Sequence, residues 1–263
     1  MSPETVQDQM VARRRARPGP SHVIGVVSGR GGSGASLVAA ALTLRSTLAG
    51  LRTLLVDADP WLDMQRIWLG LPKGPSLESL RTHGGGPESL VTAVSTNLEL
   101  VSFGEGETAG RDQRALARRV ASIFTSRDIV VVDAGSRLES LTRCVDLRVG
   151  SVLIVSGGDA LALASTHALI KAMRALIAVR PSVLFNQVEE VQATAAASVL
   201  CDGGRRFLGA APAIVGYLPD DAGLRDRLAA GAGIPESLVG SLITSRLPRP
   251  GTHPLSALRC WAR

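Results

Sequence analysis

Residues 22–36 read HVIGVVSGRGGSGAS, and this stretch decides the fold. Residues 22–28 form a β-branched, apolar run, as expected of a strand buried in a parallel sheet. A glycine-rich loop follows, and residues 35–49 then form a helical pattern that Gly50 closes. Glycines between a strand and a helix let backbone N–H groups close around a phosphate at the helix N-terminus. The stretch therefore predicts an anion-binding loop in an α/β protein.

The loop alone fits two kinds of nucleotide site. Gly29, Gly31 and Gly34 have the spacing of a dinucleotide fingerprint, in which Asp57 at the end of the next strand would hold a ribose. In a P-loop, Ser36 would instead hold Mg²⁺, but Ala35 stands where the phosphate-binding lysine belongs. A purely structural glycine turn is a third interpretation. The loop by itself leaves all three open.

The rest of the chain alternates apolar strands with helices. Predicted strands cover residues 22–28, 52–57, 98–103, 128–133, 151–156, 182–186 and 213–218, and predicted helices cover 35–49, 111–126, 159–179 and 189–202. Residues 60–96 are less regular, with short helices broken by proline and glycine. The pattern predicts one α/β domain with a P-loop NTPase-like fold: a mostly parallel sheet of about seven strands with helices on both faces.

Polar residues follow several predicted strands and narrow the choice of site. Asp57 and Asp59 come just after the second strand, and Asp133 ends the strand at 128–133. Asn186 ends a later strand, and Pro219 and Asp220 follow the last one. A single Asp after a strand is often only a helix cap. The Asp57–Asp59 pair, Asp133, and the late Asn186 with Pro219 and Asp220, in this order along the chain, are a much more specific sign of a nucleotide site.

These motifs together resemble the MinD/ParA superfamily of deviant Walker A ATPases over residues 23–233. The family loop KGGxGK(S/T)(S/T) corresponds to RGGSGASL at 30–37, its DxD element to residues 57–59, and its DxxxxD strand to 128–133. Asn186 matches the adenine-contacting Asn, and residues 216–221 match the late G-x-x-P-x-D turn. The GAS ending of the loop resembles the CpaE/TadZ branch, which helps place Tad/Flp pilus secretion machinery at the cell pole. Actinobacterial members of that branch have been called septum-site-determining or CpaE-like proteins.

The resemblance implies a site for ATP or ADP with Mg²⁺ and a homodimer with two nucleotides between its subunits. Asp59 would position or deprotonate the attacking water, and Arg30 would act on the partner's phosphates. Asp57 and Asp133 would hold Mg²⁺ through water, and Ser36 would ligate it directly. The residues implied in nucleotide binding are Gly31, Gly32, Ser33, Gly34, Ala35, Ser36, Leu37, Asn186, Pro219 and Asp220.

Three loop positions depart from the family pattern. Arg30 replaces the signature lysine and keeps its charge, with a fork suited to phosphate. Ala35 replaces the second lysine, and Leu37 replaces a hydroxyl residue. A preorganised cation on the transferring phosphate is typically worth about 10²–10³ in rate. We therefore expect nucleotide binding with at most weak ATPase activity.

Charge and cysteine usage limit the partners and the compartment. The net charge of +6 comes from two basic tails, a flexible one at 1–22 and one at 241–263, so the domain at 23–240 is neutral. A neutral domain argues against a DNA-binding face. Leu255, Leu258 and Trp261 would share one side of a short C-terminal helix, which could contact an anionic membrane weakly. Three widely spaced cysteines predict reduced thiols and a cytoplasmic protein.

Three functions follow in order of preference. The first is a CpaE/TadZ-like ATP-binding positioning factor that helps to localise or assemble pilus secretion machinery. The second is a septum-site or chromosome-partition ATPase switch of the same superfamily. The third, from another class, is an NAD-dependent oxidoreductase, which accounts for the glycines and Asp57 but not for Asp59, Asp133 or Asn186.

Overall fold

The structure, a computed structural model, describes residues 22–59, 63–76, 85–103, 111–136, 139–176, 179–223 and 226. Nearly all of both predicted tails therefore lies outside the described residues, including the helix expected to carry Leu255, Leu258 and Trp261. The described part contains the glycine-rich loop and every predicted strand.

Eight strands and six α-helices alternate along the described chain. The strands are β1 (His22–Val27), β2 (Thr53–Asp57), β3 (Thr92–Ser95), β4 (Leu98–Ser102), β5 (Ile129–Asp133), β6 (Ser151–Ser156), β7 (Ser182–Asn186) and β8 (Ala213–Leu218). The helices are α1 (Ala35–Leu48), α2 (Met64–Trp68), α3 (Arg111–Ala121), α4 (Glu139–Asp146), α5 (Ala160–Leu176) and α6 (Glu190–Leu208). Two 3₁₀ segments, Pro87–Leu90 and Ser122–Ser126, complete the list.

All eight strands form one sheet in the order β3-β4-β2-β5-β1-β6-β7-β8. Every neighbouring pair is parallel except β3 and β4, which are antiparallel. The glycine-rich loop leaves β1 between β5 and β6, and β2 ends beside β5 with Asp57 opposite Asp133. The loop and both carboxylates therefore lie at the carboxyl edge of the sheet, where open α/β folds bind ligands.

Helices cover both faces of the sheet. On one face α1 packs against β-strand residues such as Val26, Leu55 and Val131. On the other face α3, α4, α5 and α6 pack around residues such as Val56 and Phe185. Successive residues of one strand feed opposite clusters, which explains why the strands are apolar along their whole length.

The structure confirms the predicted fold class and adds detail that the sequence pattern did not give. Strand β3 is an eighth strand, half exposed at the sheet edge, so it has no apolar run to mark it. Helix α4 was also not predicted. Helix α6 continues six residues beyond the predicted end at Asp202, because Gly203 and Gly204 do not stop it. A Cβ at Gly204 would come within 2.9 Å of Ala210 O, so this glycine serves packing against the following turn.

Two further observations concern the described residues. Cys144 and Cys201, the two cysteines within the described ranges, are free thiols. No helix in the described segments is both long and apolar enough to cross a bilayer.

Candidate functional site

The glycine-rich loop has the backbone conformation of an anion cradle. Gly32 and Gly34 take φ values of +81° and +82°, a region that side chains with a Cβ disfavour. Gly34 is the N-cap of α1, and no side chain of the described residues caps that helix end. The N–H groups of the first turn therefore point out of the helix with no side-chain acceptor, and the helix dipole favours an anion there.

Two contacts from elsewhere in the fold hold the loop in place. Asn186 Nδ2 donates a hydrogen bond to Ser33 O at 2.8 Å, so the end of β7 fixes the middle of the loop. On the other side Gly29 lies against the backbone of Ser165 in α5, where an added Cβ would be 2.7 Å from the carbonyl carbon and oxygen. The loop is thus clamped between β7 and α5.

The structure brings Ser36, Asp57 and Asp133 together below the loop. The Ser36 hydroxyl donates to the Asp133 carboxylate, and Asp57 lies beside Asp133 on the neighbouring strand. Only 1 % of each Asp residue is exposed. Burial, and secondly the charge of Asp133, hold the pKa of Asp57 well above its usual range. Burial also raises the pKa of Asp133, although hydrogen bonds from Gln65 and Ser36 oppose that rise.

These residues have the right ligand type for a hard divalent cation, but they are too few to hold one alone. A hydroxyl and two carboxylates are oxygen ligands of the kind that Mg²⁺ prefers, and Mg²⁺ usually keeps several waters. Within the described ranges no group of three or more His, Cys, Asp or Glu side chains could hold a metal by itself. A metal at Ser36 would therefore take most of its ligands from water, and it could exchange some of them for phosphate oxygens.

Gln65 closes this carboxylate pair from solvent, and no motif predicted it. Its side-chain Nε2 donates to Asp133 Oδ2 at 2.7 Å and to Ser36 O at 2.8 Å. Its backbone N–H donates to Asp57 Oδ2 at 3.1 Å. Gln65 itself is 0 % exposed. One residue of α2 thus bonds all three elements of the predicted metal site.

Asp59 lies beside this pair at the surface of the same edge. It is half-buried, its backbone N–H donates to Asp57 Oδ1 at 3.3 Å, and its carboxylate faces Gly135. A Cβ at Gly135 would come within 2.9 Å of Asp59 Oδ2, so the glycine after β5 makes room for this carboxylate. Asp59 is therefore placed between the end of β2 and the segment that follows β5.

Two of the three departures in the loop have different surroundings. Ala35 is buried and packs in the α1-face core with Val26 and Val38, so it presents no polar group to a ligand. Arg30 is exposed, and its Nη1 lies 3.2 Å from both carboxylate oxygens of Asp159. Hydrogen bonds from the first turn of α5, and secondly the charge of Arg30, lower the pKa of Asp159. A pocket of about 130 Å³ opens between this ion pair and Thr166.

The remaining predicted residues divide between the site and the scaffold. Pro219 and Asp220 are exposed directly after β8, the neighbour of the strand that ends in Asn186. Leu37 is half-buried in the first turn of α1. Asp128, the first Asp of the DxxxxD strand, lies at the opposite end of β5 and forms a two-point ion pair with Arg52. That ion pair lowers the pKa of Asp128 and joins β5 to the start of β2.

Comparison with known proteins identifies the architecture. No family model and no curated protein matches the chain. Among solved structures it is similar to the septum site-determining protein MinD of Pyrococcus horikoshii in complex with Mg-ADP: 18% identity, 85% of this chain, 95% of that chain and a TM-score of 0.67. The fold is that of the MinD and ParA ATPases.

Two further structures agree with this MinD/ParA fold. A ParA family ATPase from Chlorobium tepidum has a TM-score of 0.61 at 17% identity, covering 84% of this chain and 96% of that chain. A variant of Cyanothece McdA in complex with ATP has a TM-score of 0.62 at 17% identity, covering 84% of this chain and 91% of that chain. At these identities the comparison confirms the MinD/ParA P-loop fold. The function of the chain has to be argued from its own residues.

Proposed function

We propose that this chain binds ATP or ADP with Mg²⁺ and acts as a degenerate positioning protein of the MinD/ParA type. The observation that carries the proposal is the uncapped N-terminus of α1, which follows two left-handed glycines and lies above Ser36 and Asp133. The uncapped helix end would bind a phosphate. Ser36 and Asp133 would bind the metal that accompanies the phosphate. Residues 23–240 would form the nucleotide-binding domain, and Asn186, Pro219 and Asp220 would contact the base.

Slow turnover is part of the proposal. Buried Ala35 offers no cation to the transferring phosphate. Asp59 would orient the attacking water, but a positioned water without the cation lacks a contribution worth about 10²–10³ in rate. A steady-state rate ordinary for lysine-containing relatives would contradict this part.

A thermal-shift experiment tests nucleotide binding directly. At 100 times its dissociation constant a ligand stabilises by about 2.7 kcal/mol, which for a domain of this size raises Tm by about 5–10 °C. We expect this shift with Mg²⁺ and ATP or ADP, and none with NAD. A shift with NAD alone, or none with any nucleotide, would contradict the proposal.

A matched pair of glycine variants shows whether the shift comes from the loop. Gly32 and Gly50 both have φ near +80° (+81° and +77°), and nothing lies within 4 Å of an added Cβ at either. Asp tolerates this conformation better than most residues, so both Gly32→Asp and Gly50→Asp should fold. Only Gly32→Asp puts a carboxylate against the phosphates, so only this variant should lose the nucleotide shift.

The NAD-dependent alternative is disfavoured by the surroundings of Asp57. In that function Asp57 would present its carboxylate to a ribose. Its two oxygens instead accept backbone N–H groups of Asp59 and Gln65, and the residue is buried. The buried Asp133 opposite it would have no role in such a site.

For the cellular role we propose the CpaE/TadZ type, supported by the GAS ending of the loop in the sequence. A fluorescent fusion should then locate at a pole and its deletion should impair pilus assembly. Misplaced septa or chromosome loss, with pili intact, would favour the septum-site or partition switch instead. Pilus machinery proteins and an anionic membrane surface are the partners to test first.

A further inference from the structure

Only one orientation of the Gln65 side-chain amide is compatible with its two hydrogen-bond partners. Asp133 Oδ2 and Ser36 O are both acceptors, so the amide group of Gln65, with its two hydrogens, must face them. The carbonyl oxygen then points the other way. Gln65 Oε1 is buried and has no hydrogen-bond partner among the described residues.

A buried acceptor without a hydrogen-bond partner costs folding free energy. The bonds from the Gln65 amide to Asp133 and Ser36 must therefore outweigh this cost. Turning the amide would satisfy nothing, because it would set a carbonyl against a carboxylate. The closed position of Gln65 is thus held by its bonds to Asp133 and Ser36 at the expense of its own oxygen. A competitor for Asp133 would release Gln65 and let Oε1 reach water.

The same position also blocks access to the carboxylates. Asp57 and Asp133 are each 1 % exposed, and Gln65 bonds both of them. A metal that is held through water needs carboxylate oxygens that a water can reach. Gln65 occupies one oxygen of each carboxylate, so a water that bridged a metal to either oxygen would compete with its hydrogen bond.

We propose that Gln65 is a positioning residue that sets the metal dependence of this site, because its carboxamide takes the place of metal-bound water on Asp133. The proposal deepens the nucleotide-binding function and rests on it. A metal can bind at this site only if α2 moves and takes Gln65 away from Asp133.

The neighbouring Arg66 ties the position of Gln65 to the following loop. Arg66 is buried, and its Nε donates to Asp63 Oδ2 at 2.8 Å. Its Nη1 and Nη2 donate to the carbonyls of Pro72 and Pro75 at 3.3 and 3.5 Å. If Gln65 leaves its position, the adjacent Arg66 must shift and its hydrogen bonds to Pro72 and Pro75 are strained. Metal binding at the site would therefore change the conformation of the 72–75 loop through α2.

The test uses Mn²⁺ as the probe, without nucleotide, so that it does not depend on whether ATP or ADP binds. Free Mn²⁺ is measured by electron paramagnetic resonance in titrations of the wild type, Gln65→Ala and the control Gln192→Ala, an exposed glutamine on α6. Removing a group that supports a metal ligand typically costs about 10–100-fold in metal affinity, and removing a group that competes for the ligand should raise the affinity on the same scale. We expect Gln65→Ala to bind Mn²⁺ at least about tenfold more tightly than the wild type and the control. Adding Asp133→Asn should remove the gain.

Equal Mn²⁺ affinity of the wild type and Gln65→Ala, or an equal gain in the control, would overturn the proposal. A measurement on the wild type covers the case in which Gln65→Ala does not fold. Hydrogen exchange of the peptide containing α2 should become faster with saturating MgCl₂, because the Gln65 N–H loses its bond to Asp57. Unchanged or slower exchange there would overturn the proposal as well.

Discussion

At the scale of single residues, the buried pair Asp57 and Asp133 sets a conflict between stability and function. The pKa of Asp57 is raised above its ordinary value of 3.8, so the folded state binds its proton more tightly than the unfolded state. Stability from this group is present at acid pH and is lost as pH rises through the raised pKa. The buried Asp57 carboxylate beside Asp133 therefore destabilises the fold at neutral pH.

Asp57→Asn should accordingly stabilise the protein at pH 8, by about 0.5–2 kcal/mol as for other relieved functional sites. The gain should shrink toward pH 5, as followed by urea unfolding. Asp128→Asn is the control of opposite sign. Arg52 lowers the pKa of Asp128, so the stabilising effect of the Asp128 carboxylate is present at pH 8 and is lost as pH falls. This variant should therefore lose stability at pH 8. A loss of stability in Asp57→Asn at pH 8 would show that the pair is already relieved by other means.

Ala35→Lys should restore a cation to the loop. Hydrogen bonds to charged groups contribute about 1.5–3 kcal/mol, so we expect ATP affinity to rise by about tenfold or more. The substitution also places a long, charged side chain at a position where only a methyl group is buried in the α1-face core, so Tm without nucleotide should fall. Fluorescent-nucleotide titration measures the first effect, with Ala49→Lys at the other end of α1 as control. Unchanged affinity would mean that the loop geometry itself prevents the contact.

The motifs singled out the residues that lie together at the carboxyl edge of the sheet, but they gave no sign of Gln65 between them. Asp57, Asp133 and Ser36 could be predicted because each follows a strand or starts a helix at the same sheet edge. Gln65 lies in an irregular stretch where apolar periodicity is weak, and a glutamine gives no signal of its own. Its role depends on where α2 packs, which is a tertiary property.

At the scale of elements, the close approach of the glycine-rich loop to α5 explains Gly29. A Cβ there would be 2.7 Å from Ser165 C and O, and backbone cannot move as a flexible side chain can. Gly29→Ala should therefore destabilise by about 1–3 kcal/mol, as overpacking does. Gly31→Ala is the matched control, because its nearest neighbour, Ser136 Oγ, is 3.7 Å away. Urea midpoints measure both, and equal losses would assign the effect to backbone entropy instead.

The elements themselves show which signals a sequence carries. Buried parallel strands were predicted well, since each is a short apolar run covered on both faces. Strand β3 was missed because an edge strand needs no such run, and its pairing with β4 supplies the hydrogen bonds. The end of α6 was misplaced because Gly204 serves close packing, whereas Gly209, with φ of +73°, is the actual C-cap.

At the scale of the whole molecule, the homodimer that the family resemblance implies would form through the face that carries the glycine-rich loop. Leu161 is 65 % exposed in the first turn of α5, next to the ion pair of Arg30 and Asp159. Both partners of that pair are about half exposed, and such pairs contribute only about 0–1 kcal/mol. Arg30 can therefore leave Asp159 at little cost when a phosphate of a second subunit is available.

Arg30→Ala should then weaken ATP-dependent dimerisation more than it weakens ATP binding by the monomer. Light scattering with and without Mg²⁺ and ATP measures the first quantity, and fluorescent-nucleotide titration measures the second. Asp159→Ala should strengthen dimerisation, because it frees Arg30 without removing it. Arg205→Ala is the control, since Arg205 forms a still more exposed ion pair with Asp202 on α6. A monomer at every nucleotide condition, or an equal effect of Arg205→Ala, would mean that Arg30 acts only within its own chain.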